Sequence, residues 1–172
     1  VTAKVTLVTG GARSGKSRYG EGLITALPPP WIYVATAEAG DAEMAARIEE
    51  HRKRRPAGWT IIEAPHGLAD IFSRIDEAAP VLVDCLTFWL SNRLLADADL
   101  EKETDNLAGV LAHHTGPVVL VTNEVGSGIV PDNALARRFR DAQGRLNQRI
   151  AALADRVVLV VAGLPLVVKG NQ

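Results

Sequence analysis

Apolar positions along the chain follow two rhythms. Runs of consecutive β-branched and other apolar residues read as buried strands over residues 4–9, 31–36, 59–62, 80–84, 117–122 and 157–161. A shorter run over 166–168 follows a turn at Gly163-Leu164-Pro165. Between the runs, apolar side chains recur every three or four positions, which is the helical rhythm. It predicts a helix over 17–27 with Tyr19, Leu23 and Leu27 on one face, stopped by Pro28-Pro29-Pro30. A second helix is expected over 42–55, capped by Asp41, closed by Pro56 and Gly58, with a narrow apolar stripe of Met44, Ala45 and Ile48. Further helices are expected over 67–77 (Leu68, Ile71, Phe72, Ile75), 86–95, and 100–114 (Leu107, Val110, Leu111, His114). The last covers 134–154, placing Leu135, Phe139, Ala142, Leu146, Ile150 and Leu153 inward. Strands alternating with helices imply an α/β fold, a mostly parallel sheet with helices on both faces. The connections are too short for a second unit, so residues 1–172 are expected to form a single domain.

The junction of the first strand and helix carries the chemistry. Gly10-Gly11-Ala12-Arg13-Ser14-Gly15-Lys16-Ser17 fits the phosphate-loop pattern G-x-x-x-x-G-K-[ST], and it lies between a strand and a helix as that motif requires. Glycines let successive backbone N–H groups turn inward around a polyphosphate. The helix N-terminus adds partial positive charge, Lys16 adds a full one, and the Ser17 hydroxyl suits a Mg²⁺ ion. A tight turn that happens to contain these letters is the bland alternative, and the flanking elements argue against it. The chain is read as a P-loop protein that binds a nucleoside triphosphate.

Composition changes this picture only by exclusion. Apolar residues make up 47% and charged residues 23%, which is ordinary for a globular domain. A net charge of −1, from 19 basic and 20 acidic residues, gives no global field for nucleic acid. The single cysteine, Cys85, excludes an internal disulfide and a multi-cysteine metal site, and suits a reducing cytosol. No apolar run is long enough to span a bilayer, and residue 4 enters a strand with no signal-peptide pattern ahead of it. A cytoplasmic, soluble protein is expected.

In a parallel sheet, ligands sit beyond the C-terminal strand ends. Three such ends compare with the phosphate loop: Thr36, Asp84 and Asn123-Glu124. Asp84 closes the run Val81-Leu82-Val83, the usual place for the acidic partner of the loop's magnesium, although it also precedes a helix and could serve as its cap. Two uses stay open for Glu124: orienting a nucleophile, or satisfying backbone groups of its own loop. The run Glu49-Glu50-His51-Arg52-Lys53-Arg54-Arg55 reads by spacing as a solvated helix end. Beside a bound triphosphate it has a second use. A neutral imidazole can attack the α-phosphorus and form a phosphoramidate while cations stabilise the developing charge.

Several segments resemble one family in series. They are residues 9–18, Tyr33-Val34-Ala35-Thr36, Met44-Ala45-Ala46-Arg47-Ile48 with His51-Arg52, and Val83-Asp84-Cys85-Leu86-Thr87. Residues 121–131 (VTNEVGSGIVP), Phe139-Arg140-Asp141 and Gly144-Arg145-Leu146-Asn147-Gln148 complete the set. Together they resemble the bifunctional adenosylcobinamide kinase/adenosylcobinamide-phosphate guanylyltransferase family of cobalamin biosynthesis. The resemblance implies a RecA-like P-loop NTPase fold, a homotrimer, and two reactions. Adenosylcobinamide is phosphorylated with ATP or GTP, and GMP from GTP is then passed to adenosylcobinamide phosphate through a guanylylated histidine. The matching nucleophile is His51, with Lys16 as the other catalytic residue. Implied nucleotide contacts are Gly10 to Ser17, Thr36, Ala37, Glu38, Arg52, Lys53, Arg54, Arg55, Glu63 and Asp84, with Mg²⁺ on Ser17 and Asp84. Many relatives carry Glu at the Asp84 position, so the carboxylate here is one methylene shorter. Two other readings fit the phosphate loop alone: a single-activity kinase of another small metabolite, and a nucleotide-gated module binding nucleic acid through Arg52 to Arg55.

Overall fold

A computed structural model describes residues 3–38 and 57–171 of the chain. Each apolar run among them is a strand of one sheet: β1 (Val5–Gly10), β2 (Trp31–Ala35), β3 (Trp59–Glu63), β4 (Val81–Asp84), β5 (Val118–Val121), β6 (Arg156–Val161) and β7 (Leu164–Lys169). Their order across the sheet is β3-β2-β4-β5-β1-β6-β7. The first six are parallel, and β7 alone runs antiparallel, hairpinned to β6. The helices are α1 (Lys16–Thr25), α2 (Leu68–Phe72), α3 (Leu86–Leu95), α4 (Leu100–His113) and α5 (Ala134–Leu153). The helix expected over 42–55 lies outside the described residues.

Side chains alternate along each strand, so the sheet feeds two cores. On one face Leu7, Val34, Val83 and Leu120 meet Leu86, Leu90, Leu107, Leu111, Leu146 and Ile150 from α3, α4 and α5. On the other, Val8, Tyr33, Leu82, Val119 and Val121 meet Ile24 of α1, with Tyr19 and Leu23 at its flanks. Burying each such side chain contributes about 1.5–3 kcal/mol. Continuous Val and Leu in β4 and β5 follow from burial on both faces. Gly20 lets α1 lie close on the sheet: a Cβ there would stand 3.2–3.3 Å from Val121, Leu82 and Val119. The buried line of α1 therefore runs through Gly20 and Ile24, one position round from the expected Tyr19–Leu23–Leu27 stripe.

Other boundaries differ for local reasons. The helix expected over 67–77 stops at Phe72, where the Ser73 hydroxyl and the Ser73 and Arg74 amides turn back to Asp70 and Ile71 carbonyls. Helix α5 starts at an Asn133 side chain that accepts from Ala136 N–H, and α4 starts at Asp99, which accepts from Lys102 N–H. Leu135, expected inward, is 53% exposed. A 20-residue helix is about 30 Å long, whereas a six-residue strand spans about 20 Å, so the first turns of α5 overhang the sheet. The last strand begins at Leu164, because Ala162 and Gly163, both at positive φ, make a two-residue hairpin turn. His114 packs as expected, edge-on to Phe72 with Nε2 3.0 Å from the Ala79 carbonyl.

Candidate active site

The strand order brings the expected site residues to one rim. Along the C-terminal edge come Glu63 (β3), Thr36 (after β2), Asp84 (β4), Asn123 (after β5) and Gly10 (β1). The strand carrying Asn123 therefore lies between the phosphate loop and Asp84.

The loop is shaped by close contacts. A Cβ on Gly10 would stand 2.5 Å from the Val160 carbonyl and 2.7 Å from Ser14 Oγ, so this position admits only hydrogen. Arg13 and Gly15 take positive φ values of 55° and 94°, which brings the chain round into α1. Gly15 is the N-cap and supplies no side chain, so the first amides of α1 have no capping side chain and suit an anion. Lys16 is buried, and its Nζ folds back over the loop to donate to the Gly11 carbonyl at 2.9 Å. Burial pushes its pKa below the ordinary lysine value, against the raising influence of Cys85 and Asp84 nearby. A triphosphate would return the stabilisation that burial removes. Ser17 is half-buried in the first turn, while Gly11, Ala12 and Arg13 are exposed. From outside, the hairpin turn supports the loop: Gly163 N–H donates to the Ser14 carbonyl at 2.8 Å.

Asp84 is half-buried and accepts from the Tyr33 hydroxyl at 3.1 Å. Its neighbour Cys85 is buried, and desolvation together with the Asp84 charge pushes the thiol up to about 12. Thr36 is fully buried and holds the Asp84–Cys85 turn from both sides, donating to the Cys85 carbonyl at 2.6 Å and accepting from its N–H at 2.8 Å. Glu38 pairs with His66 Nε2 at 3.1 Å, while Arg93 stands 3.4 Å from Nδ1 of the same ring and 2.8 Å from Glu103. Ala37 is half-buried and Glu63 is exposed at the strand end. The Glu124 carboxylate accepts from Gly126 N–H at 2.8 Å, the loop-satisfying use of the two considered. His51, Arg52, Lys53, Arg54 and Arg55 lie outside the described residues.

Sequence reasoning missed a polar cluster behind this rim. Asn123 N–H donates to Thr87 Oγ1 at 2.8 Å, and the Asn123 carbonyl accepts from Asn147 Nδ2 at 3.0 Å. Asn147 Oδ1 accepts from Thr122 Oγ1 at 2.7 Å and from Gln143 Nε2 at 2.9 Å. The available signal was two polar residues four apart, Gln143 and Asn147, inside the inward stripe of α5.

Comparison with known proteins now bears on what the rim does. A family model described as "Cobinamide kinase / cobinamide phosphate guanyltransferase" matches residues 6–168. The chain belongs to this family. It is 47% identical over 168 residues to the bifunctional adenosylcobalamin biosynthesis protein CobP of Pseudomonas aeruginosa, covering 96% of this chain and 97% of that one. It is 43% identical over 181 residues to the bifunctional adenosylcobalamin biosynthesis protein CobU of Salmonella typhimurium, covering 95% and 98%. Among solved structures, a type III secretion system ATPase superposes with a TM-score of 0.57 at 12% identity, covering 91% of this chain and 50% of its own. The flagellar accessory protein FlaH of Methanocaldococcus jannaschii gives 0.52 at 11% identity, covering 98% and 79%. These two likenesses concern the fold alone, a mostly parallel RecA-like α/β domain. No helix among the described residues is long and apolar enough to cross a membrane.

Proposed function

We propose that this enzyme phosphorylates adenosylcobinamide with ATP or GTP and then transfers GMP from GTP to adenosylcobinamide phosphate, giving adenosylcobinamide-GDP and pyrophosphate. The family match over residues 6–168 carries the reading, and the chemistry of the rim agrees with it. In the kinase step the loop amides and Lys16 hold the triphosphate, with Lys16 exchanging the Gly11 carbonyl for phosphate oxygen. Because Lys16 is desolvated, its charge acts in a low dielectric, where stabilisation of developing negative charge is strongest.

Ser17 and Asp84 would hold Mg²⁺. Among the described residues no group of three or more His, Cys, Asp or Glu forms a metal cage. Two protein oxygens completed by phosphate oxygens and water are the donor set this ion favours. When bound, it neutralises charge on the β- and γ-phosphates.

In guanylyl transfer, His51 is the proposed nucleophile. A P–N bond forms from the unprotonated ring nitrogen as the bond to pyrophosphate breaks, and the other ring nitrogen keeps its proton. A phosphate oxygen of adenosylcobinamide phosphate then displaces the imidazole. Arg52 to Arg55 are the proposed cations for this step, and Thr36, Ala37, Glu38 and Glu63 the remaining nucleotide contacts. We place the enzyme in the cytoplasm, in keeping with one buried free cysteine. We also propose a homotrimer, supported by the apolar face of the β6–β7 hairpin, where Val161, Leu164 and Leu166 are 57%, 72% and 58% exposed.

Mass spectrometry of a reaction containing adenosylcobinamide, GTP and Mg²⁺ tests the reading. The phosphate ester should appear first, with one GDP released per ester, and the GDP derivative second, with one pyrophosphate released per molecule formed. Conversion of GTP to GDP alone, with no pyrophosphate, would leave a single-activity kinase.

A further inference from the structure

The connection between β5 and α5 holds an apolar tip out into solvent and braces it at both ends with polar bonds. At its start the Glu124 N–H donates to the Gly10 carbonyl at 3.1 Å, and the Glu124 carboxylate accepts from Gly126 N–H at 2.8 Å. At its end Arg137 Nη1 donates to the Pro131 and Asp132 carbonyls at 2.9 and 2.7 Å, and the Asn133 side chain caps α5. Between these braces Ile129 is 97% exposed, with Val130 exposed beside it. An isoleucine stabilises a fold by leaving water, so this one contributes nothing to the free chain.

Three more exposed apolar side chains join it. Phe88 and Leu95, seven positions apart, share one face of α3. Phe88 follows Thr87, whose Oγ1 accepts from Asn123 N–H at the root of the connection. Leu135 and Arg138, three positions apart, share one side of the overhanging turns of α5. Arg138 reaches Asp97, two residues beyond Leu95, at 3.7 Å. The connection, α3 and the overhang of α5 therefore present one apolar patch beside the rim, with charge at its margin. Among the described residues, the other exposed large apolar side chains are Ile61 and those of the β6–β7 hairpin. Patches of this kind mark sites of interaction.

We propose that this patch seats the corrin macrocycle of the acceptor, adenosylcobinamide, while the hydroxyl-bearing side arm of the acceptor reaches the terminal phosphoryl group. The inference rests on the function proposed above and adds the residues that hold the acceptor. A corrinoid is a broad, flat ring with methyl groups on both faces and amide-tipped arms around its edge. It fits an apolar wall with a polar margin. Ile129, Val130, Leu135, Phe88 and Leu95 supply the wall, and the Arg138–Asp97 pair stands at the margin. Position selects this occupant. Both roots of the patch are bonded to the cradle, Glu124 to Gly10 of the phosphate loop and Thr87 to Asn123, on the strand between that loop and Asp84. A ring seated there leaves the loop free for the triphosphate, and only its arm enters. The braces also gain a purpose, since a wall ordered before binding loses less entropy when the ring arrives.

The test is calorimetric titration of adenosylcobinamide onto the enzyme loaded with Mg²⁺ and a GTP analogue that cannot be cleaved at either phosphoanhydride link. Wild type, Ile129→Ser, Leu135→Ser and the double variant are compared, with nucleotide affinity, melting temperature and mass by light scattering measured on the same samples. Each single change should weaken corrinoid binding by about tenfold, the low end for taking one apolar side chain out of a contact. The double variant should weaken it by about a hundredfold if the two contacts add. Nucleotide affinity, melting temperature and mass should match wild type, because both side chains are exposed in the free chain. Unchanged corrinoid affinity in the double variant would overturn the proposal. So would an equal loss of nucleotide affinity, which would give the patch to the guanine base, or a fall in mass, which would give it to a second copy of the chain. Wild type that binds the nucleotide and no adenosylcobinamide would overturn the proposed function itself, a result distinct from failure in the variants alone.

Discussion

Replacing Gly10 by alanine tests whether the shape of the phosphate loop depends on one missing methyl group. The added Cβ would stand 2.5 Å from the Val160 carbonyl and 2.7 Å from Ser14 Oγ, whereas ordinary carbon–oxygen contacts begin near about 3.3 Å. One side of the clash is backbone of the paired strand, since Gly10 opposes Val160 in the β1–β6 ladder. Relief therefore requires the loop or β6 to move by most of an ångström. Overpacking of this kind costs about 1–3 kcal/mol. For a domain of this size that lowers the melting temperature by about 2–12 °C. A displacement of about 1 Å in a positioning element costs roughly a hundredfold in rate, and triphosphate affinity should fall in step. Gly11→Ala is the control, because a Cβ there meets nothing within 4 Å. Thermal melting and calorimetric titration with GTP measure both quantities. Gly10→Ala melting and binding like wild type would refute the reasoning.

Gly109 lies inside α4 with open space around it, so Gly109→Ala should stabilise the fold by up to about 1 kcal/mol through helix propensity, seen as a higher melting temperature. The Cys85 thiol is raised from 9.0 to about 12 in the folded chain. Its contribution to stability is thus complete below about pH 9 and falls as pH rises toward 12, because only the unfolded thiol ionises freely there. Denaturation curves between pH 8 and 11 should decline more steeply in wild type than in Cys85→Ser, and native Cys85 should resist thiol reagents. If the exposed face of the last hairpin joins copies of the chain, Leu166→Lys should shift the mass measured by light scattering toward the monomer; an unchanged mass would move the interface elsewhere.

What was legible in the sequence was local. The phosphate loop is contiguous, and its glycines, lysine and serine stand between a strand and a helix that their own periodicity reveals. Asp84 was readable because an apolar run ends in a charge. What escaped depends on contacts between distant positions. Gly163 meeting the Ser14 carbonyl follows from a hairpin whose antiparallel return is hidden in a run of exposed apolar residues. The Asn123 cluster joins α3, β5 and α5, and no spacing predicts that Thr87 and Asn147 hold opposite sides of one peptide unit. Thr36 was read as a strand end facing a nucleotide, yet its hydroxyl is occupied by the Cys85 backbone, a partner set by the pairing of β2 with β4. Leu135 looked inward because helical periodicity does not encode where the sheet ends.

The central claim is that one triphosphate cradle serves both phosphoryl and guanylyl transfer, the second through a histidine. Incubating the protein with α-labelled GTP and Mg²⁺, denaturing it, and comparing wild type with His51→Ala tests this most directly. The account predicts an acid-labile, base-stable label on wild type that is absent from the variant. Nucleotide binding without covalent label, or a label that persists in His51→Ala, would contradict it.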